Sequence, residues 1–160
     1  MTLKPISTLF LKIVIVLIAI VTLAGLIWFP QTEGRAANLD LLSIYTDPFI
    51  IYGFFASIPF FVALYHGIKL LTYVDQNQVF SEAAVQAVRN IKYSALALSG
   101  FIVVGILYIR LFVHGDDPAG PTGAGIFTTF ACIVIATAAA IFERLLKNAL
   151  DLKSENDLTV

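Results

Sequence analysis

Four long apolar stretches run through the chain, separated by shorter segments rich in polar residues. Each stretch approaches the ~20 residues that an α-helix needs to cross a hydrocarbon core of about 30 Å. The pattern predicts an all-α membrane protein whose four transmembrane helices form a compact bundle in one integral-membrane domain, residues 1–160. The predicted spans cover about residues 9–29, 49–71, 93–113 and 126–142.

The first span has features of a secretory signal peptide, because Lys4 precedes it and Lys12 lies near its start. Its apolar run is longer than the roughly 7–15 residues of a signal-peptide core, however. No clear A-x-A cleavage site follows Phe29. We expect the segment to be retained as a signal anchor.

Positive charge is distributed unevenly between the two sides of the predicted spans. Of the 10 Lys and Arg residues, only Arg35 and Arg110 fall on one side, which leaves eight on the other. Because cytoplasmic loops carry the excess of Lys and Arg, this asymmetry predicts that both termini face the cytoplasm.

The segment between the second and third spans predicts an amphipathic inner helix over residues 81–92. Ser81 is a suitable N-cap, and Phe80 and Val85 occupy the positions of a hydrophobic staple. Apolar residues then recur at helical spacing into the third span, without a helix breaker. The fourth span also continues past the membrane, into a cytoplasmic helix and tail over residues 143–160. We therefore expect the inner ends of helices 3 and 4 to extend into the cytoplasm.

Small residues at i+4 steps predict close helix packing, since they allow backbones to approach each other. In the fourth span these residues are Thr128, Cys132, Ala136 and Ala140. Pro59 predicts a kink in the second span, because proline lacks the N–H of a helical hydrogen bond.

Two interpretations of the first outer loop remain open. Leu39, Leu42 and Tyr45 recur at helical spacing and would form the apolar face of a short helix lying in the membrane interface. Alternatively, the segment is an irregular loop with a few apolar contacts.

Composition excludes several classes of function. The chain is 59% hydrophobic and 13% charged, whereas a soluble domain carries about 25% charged residues. Ten basic residues against 11 acidic ones exclude a strongly basic nucleic-acid binder, so we expect no direct nucleic-acid binding. The single cysteine, Cys132, is expected to be a packing residue. The sequence contains no P-loop, H-E-x-x-H, CxxC or G-x-S-x-G pattern, so we expect no cofactor, no metal and no catalytic residues.

A few polar residues remain as candidates for function. The centres of the four spans contain no charged residue, which argues against a proton or cation pump. His66 and Lys69 lie near the inner end of the second span, where His66 has either a structural or a pH-sensing role. His114, Asp116 and Asp117 form either an outer-face site for a ligand or ion, or a simple turn.

Three segments, in this order between four apolar spans, resemble the bacterial domain-of-unknown-function 2975 family of small four-span membrane proteins. They are Tyr73–Ser81 with Arg89–Tyr93, Asp116–Gly120 and Asp151–Val160. The resemblance implies a bacterial inner-membrane protein of about this length, with no established activity and no accepted catalytic residues. Members are often encoded beside a small helix-turn-helix regulator, which implies a sensory or regulatory role.

Together these observations favour a non-enzymatic sensory, regulatory or accessory module. Besides the lipid bilayer, its expected partner is a protein bound at the cytoplasmic face, or a second copy of the chain. The candidate partner-binding residues are Arg89, Lys92, Lys147, Lys153, Glu155 and Asp157. The alternative is a small oligomeric transporter or channel. A membrane-embedded enzyme that uses His114, Asp116 and Asp117 comes third.

Overall fold

The computed structural model describes residues 5–32, 38–112 and 119–158, which are almost entirely helical. Four helices are long: α1 (Pro5–Thr32), α3 (Pro48–Asp75), α4 (Glu82–Phe112) and α5 (Ala119–Leu158). Between α1 and α3 lies one short helix, α2 (Leu41–Tyr45). These described ranges contain no strand, and the long helices pack together, which confirms the predicted all-α, four-helix fold.

The long helices are antiparallel to their neighbours. The contact between α4 and α5 is the most extensive, followed by that between α3 and α4. Helix α1 packs mainly against α3, so α4 is the central helix and α1 is peripheral. A salt bridge of 2.6 Å between Lys12 Nζ and Asp75 Oδ2 joins α1 to α3 at the end where α1 begins and α3 ends.

One face of α5 packs closely against α4. Its members recur at alternating steps of three and four residues, a spacing that keeps them on one side of the helix. We call this face the α5 seam, and it comprises Thr122, Gly125, Thr129, Cys132, Ala136, Ala139, Glu143 and Leu146. A Cβ atom on Gly125 would lie only 2.6 Å from Cδ1 of Ile106, so the side chain of Ile106 packs directly on the backbone of Gly125. The prediction of close packing is correct for Cys132 and Ala136, whereas Thr128 and Ala140 are exposed.

Large apolar side chains cover the outer surface of the helices. Val21, Phe127 and Phe130, for example, are each at least 65% exposed. In a water-soluble protein such a contiguous apolar surface would promote aggregation. All four long helices are long and apolar enough to cross a membrane. Their 28 to 40 residues also exceed the ~20 that a span requires.

The turn between α3 and α4 has a defined geometry. Asn77 adopts a left-handed backbone conformation with φ of 55°. The N–H of Gln78 donates to the carbonyl of Tyr73 at 2.8 Å, as in a Schellman C-cap. Ser81 then caps α4, since its Oγ accepts from the N–H of Ala84 at 3.2 Å, which confirms the predicted N-cap.

Three local expectations can be compared with the helices directly. Helix α1 continues through Pro30 to Thr32, past the predicted end of the first span, and α3 remains one helix across Pro59. The first outer loop does form a short helix, α2. However, Ile44 is its buried residue, whereas Leu39 and Leu42 are more than half exposed.

Candidate functional site

The most heavily charged site in the described structure lies where α4 begins and α5 passes beside it. Glu143 belongs to the α5 seam and is only 8% exposed. Its Oε1 accepts from Arg89 Nε at 2.8 Å, and its Oε2 accepts from Lys92 Nζ at 2.6 Å. Lys147, one turn further along α5, places its Nζ 3.8 Å from Oε1. We call these four residues the Glu143 cluster.

The helical register explains how the cluster forms. Residues three or four positions apart lie on the same face of a helix, so α4 presents Arg89 and Lys92 together and α5 presents Glu143 beside Lys147. Because α4 and α5 are antiparallel, the two faces meet. The cluster fixes the alignment of the two helices, since each carboxylate oxygen of Glu143 binds a different residue of α4.

The cluster carries more positive than negative charge. Three cations surround one carboxylate, which gives a formal net charge of +2 (3 − 1). A buried carboxylate needs such partners, because its desolvation is costly unless it is paired and hydrogen-bonded. The side chains of Arg89 and Lys147 keep 34% and 50% of their surface exposed. The cluster can therefore hold Glu143 and still attract an acidic group from outside.

Polar contacts continue from the cluster to α3. Nδ2 of Asn90 lies 3.1 Å from Nε2 of His66, which bridges α4 and α3. Lys69, which the sequence paired with His66, instead places its Nζ 4.8 Å from the centre of the Tyr65 ring. The Lys12–Asp75 salt bridge joins α1 to α3 at the same end. Polar contacts at this charged end therefore link each long helix to its neighbour.

The structure brings together three of the six candidate partner-binding residues, namely Arg89, Lys92 and Lys147. Lys153 and Glu155 lie on the exposed final turns of α5. Asp157 is also on α5, but its side chain is outside the described part. Sequence reasoning missed Glu143 as the centre of the site. The signal was present, because Glu143 continues the three-and-four spacing of small residues through Cys132, Ala136 and Ala139.

The outer-face candidates His114, Asp116 and Asp117 lie outside the described residues. Within residues 5–32, 38–112 and 119–158, no group of three His, Cys, Asp or Glu side chains could hold a metal ion. Cys132 is buried in the α5 seam, 5% exposed.

The opposite end of the described structure has apolar clefts. One, with a volume of about 170 Å³, is lined by Pro48, Phe49, Tyr52, Val104, Gly105 and Tyr108. A wider groove lies between α1 and α3, and both Gly25 and Gly53 line it. A Cβ on either glycine would meet no atom within 4 Å, so the groove is open at these positions.

Comparison with known proteins agrees with this architecture. The family model described as "Protein of unknown function (DUF2975)" matches residues 31–160. The chain is also similar to the "Uncharacterized membrane protein YoaS" of Bacillus subtilis (strain 168). The two are 44% identical over 156 residues, which cover 96% of this chain and 98% of the relative. No solved structure matches the chain. The family match includes the whole Glu143 cluster and, together with the four apolar helices, identifies a membrane protein.

Proposed function

This membrane protein belongs to the DUF2975 family of proteins of unknown function, and from that premise we propose that it is a non-enzymatic regulatory or accessory module. Its partner is a protein that binds the Glu143 cluster and the final turns of α5. In this proposal the chain lies in the bacterial inner membrane with both termini in the cytoplasm. The charged end then faces the cytoplasm.

The observation that carries the proposal is the exposure of the end of α5. All residues from 151 to 156 are exposed, and Leu152 keeps 67% of its surface accessible. Short helical segments are marginal in water unless an apolar face packs against something. A partner that covers Leu152 would supply that packing.

The chemistry of the Glu143 cluster favours contact with an acidic group of the partner. The Glu143 cluster has a formal charge of +2, whereas the final turns of α5 carry exposed Asp151, Lys153 and Glu155. Complementary charge guides association and excludes unsuitable partners. We therefore expect a protein with an apolar pocket for Leu152 and carboxylates that face the Glu143 cluster.

The distribution of charge supports the proposed orientation. The described cations Lys12, Arg89, Lys92 and Lys147 gather at one end, whereas Arg110 lies at the other, where its Nε is 3.4 Å from Oγ1 of Thr122. Cytoplasmic segments carry the excess of basic residues in most membrane proteins.

The alternative, a small oligomeric transporter or channel, has one observation in its favour. The open groove at Gly25 and Gly53 is a surface on which a second copy could pack. Against it, the described charged side chains lie towards the helix ends, and transport pathways usually contain charged groups within the membrane.

Site-directed crosslinking in native membranes tests the proposed partner. A photoreactive residue replaces Leu152, and a matched variant carries it at Leu42, an apolar position at the opposite end that is at least as exposed. We expect one heterologous protein to be crosslinked at Leu152 and not at Leu42. A chain lacking residues 153–160 should recover less of that protein.

Two results would contradict the proposal. Crosslinking of the chain only to itself at Leu152 would favour the oligomeric alternative and make ion-flux assays in liposomes the next measurement. Equal recovery of the same proteins by the full and shortened chains would show that the tail is not the docking element.

A further inference from the structure

A series of side-chain hydrogen bonds connects the Glu143 cluster to α3. Nη1 of Arg89 donates to Oε1 of Gln86 at 3.3 Å. Nε2 of Gln86 donates to Oδ1 of Asn90 at 3.0 Å. Asn90 then reaches Nε2 of His66 at 3.1 Å. We call Arg89, Gln86, Asn90 and His66 the polar relay.

The chemistry of arginine fixes the direction of every hydrogen bond in the polar relay. A guanidinium group has five N–H donors and no acceptor, so the atom of Gln86 that it contacts must be the amide oxygen. The amide nitrogen of Gln86 then faces Asn90 and requires an oxygen there. Consequently Asn90 presents its own amide nitrogen, a donor, to His66.

His66 must therefore accept a hydrogen bond at Nε2. A neutral imidazole carries one proton, and an accepting Nε2 leaves that proton on Nδ1. In the described structure Nδ1 of His66 is buried and has no hydrogen-bond partner. A buried donor without an acceptor is unfavourable. The contact with Asn90 is thus the one side-chain hydrogen bond that the described structure gives to this imidazole.

The geometry points to His66 as the proton-sensitive end of the polar relay. Protonation of His66 changes the alignment of α4 and α5 at the Glu143 cluster. This inference rests on the proposed function and adds how the same site is regulated. A second proton on His66 would place an N–H at Nε2, facing the N–H donors of Asn90.

The polar relay cannot adapt to a second proton by simply reversing. If the amide of Asn90 turned over, its nitrogen would face the nitrogen of Gln86, and Gln86 would have to turn as well. Its amide nitrogen would then face Arg89, which can only donate. One bond of the polar relay must break. When it is the 3.3 Å bond between Arg89 and Gln86, the guanidinium of Arg89 is held by Glu143 alone and can shift relative to α4.

The charged and titratable groups around His66 come from three helices. On α3, the Tyr65 ring lies 5.3 Å from the imidazole, and Lys69 lies over that ring. From α4, Asn90 contacts His66, and Arg89 and Lys92 are both bound to Glu143. From α1, Lys12 is paired with Asp75. The carboxylates of Asp75 and Glu143 are thus already paired with other cations.

Nitrogen NMR of the full chain in lipid bilayers tests the first part of the inference. The chain has two histidines, so His114→Gln leaves His66 as the single imidazole signal. Near pH 8 we expect the tautomer with its proton on Nδ1 and an accepting Nε2. A proton on Nε2 under these conditions would overturn the inference.

Distance measurements test the coupling to α5. Spin labels at Ala83 and Leu145, both exposed, report the separation of α4 and α5 beside the Glu143 cluster. As the pH falls from about 8 to about 5, where histidine commonly titrates, we expect this separation to shift with the same midpoint as the imidazole signal. A separation that does not follow the imidazole would overturn the coupling.

Gln86→Leu provides the matched control, because Gln86 is exposed and its loss removes no buried packing. This variant keeps the contact between Asn90 and His66 but disconnects both from Arg89. We expect His66 to titrate as before while the pH-dependent shift in separation is lost. An unchanged shift would show that the polar relay carries no coupling. None of these measurements involves a partner protein, so their failure is distinguishable from failure of the proposed function.

Discussion

Arg89 and Glu143 lie 54 positions apart in the sequence, and Nε of Arg89 donates a hydrogen bond of 2.8 Å to Oε1 of Glu143. The same guanidinium donates to Gln86 through Nη1. Arginine suits this position because its planar group has donors in fixed directions. Arg89 therefore joins the α4–α5 interface to the polar relay that leads to α3.

Replacing Glu143 with glutamine should weaken the α4–α5 interface. The amide removes the negative charge and leaves Arg89 and Lys92 beside each other without a carboxylate. Both cations are partly exposed and can regain water, so we expect the free energy of unfolding to fall by only about 1–3 kcal/mol. Denaturation in mixed micelles measures this change.

Asp151→Asn is the control for Glu143→Gln, because it makes the same chemical change at an exposed position on the same helix. Its free energy of unfolding should match that of the unmodified chain. Equal losses in the two variants would show that the Glu143 cluster has no special role in stability.

Gly125→Ala should separate α4 and α5 at the end opposite the Glu143 cluster. The added Cβ would lie 2.6 Å from Cδ1 and 2.8 Å from Cγ1 of Ile106. Overpacking of this kind typically costs about 1–3 kcal/mol of stability. Thermal unfolding in detergent measures the loss, and adding Ile106→Ala should recover part of it because both crowded atoms are removed.

Gly123→Ala controls for the change in backbone flexibility. A Cβ at Gly123 meets no atom within 4 Å, so this variant should be as stable as the original chain or slightly more stable. If Gly123→Ala and Gly125→Ala were equally destabilising, close helix packing at Gly125 would not be the cause.

The sequence predicts the helices well because hydrophobicity and capping are local properties. Ser81 indicates the start of α4, and the apolar periodicity that follows predicts one face of Ala84, Val88, Ile91 and Ala95. Three of these residues are buried, and Ile91 is half-buried. Each of these features depends on neighbours within a few residues. A membrane helix also needs about 20 apolar residues in a row, a pattern that few other structures share.

The packing of α5 was harder to predict because several small-residue patterns compete in one sequence. Steps of four residues exceed the 3.6 residues of a helical turn, so a strict i+4 series drifts around the helix. Thr128 and Ala140 consequently leave the interface that contains Cys132 and Ala136. Alternating steps of three and four hold the same face and lead to Glu143. Glu143 also lies four positions before Lys147, and an ion pair within α5 is enough to explain that spacing. The sequence therefore does not indicate that Glu143 contacts α4.

Asn77→Gly should stabilise the turn between α3 and α4. Asn77 has φ of 55°, a region that glycine enters without the steric cost of a Cβ atom. We expect the free energy of unfolding to rise by up to about 1 kcal/mol. The neighbouring Gln76→Gly is the control, since Gln76 has an ordinary φ of −85°. There the extra freedom of glycine in the unfolded chain should lower stability, and a change of the same sign in both variants would contradict the explanation.

Accessibility of introduced cysteines should establish the orientation of the charged end. In separate variants Leu42→Cys and Lys153→Cys place exposed thiols at opposite ends of the helices. With both termini in the cytoplasm, a membrane-impermeant maleimide should label the first variant in intact spheroplasts and the second only after the membrane is opened. The unmodified chain is the control, because its single cysteine, Cys132, is buried and should not react under either condition. Labelling of Lys153→Cys in intact spheroplasts would place the Glu143 cluster outside the cell and exclude a cytoplasmic partner.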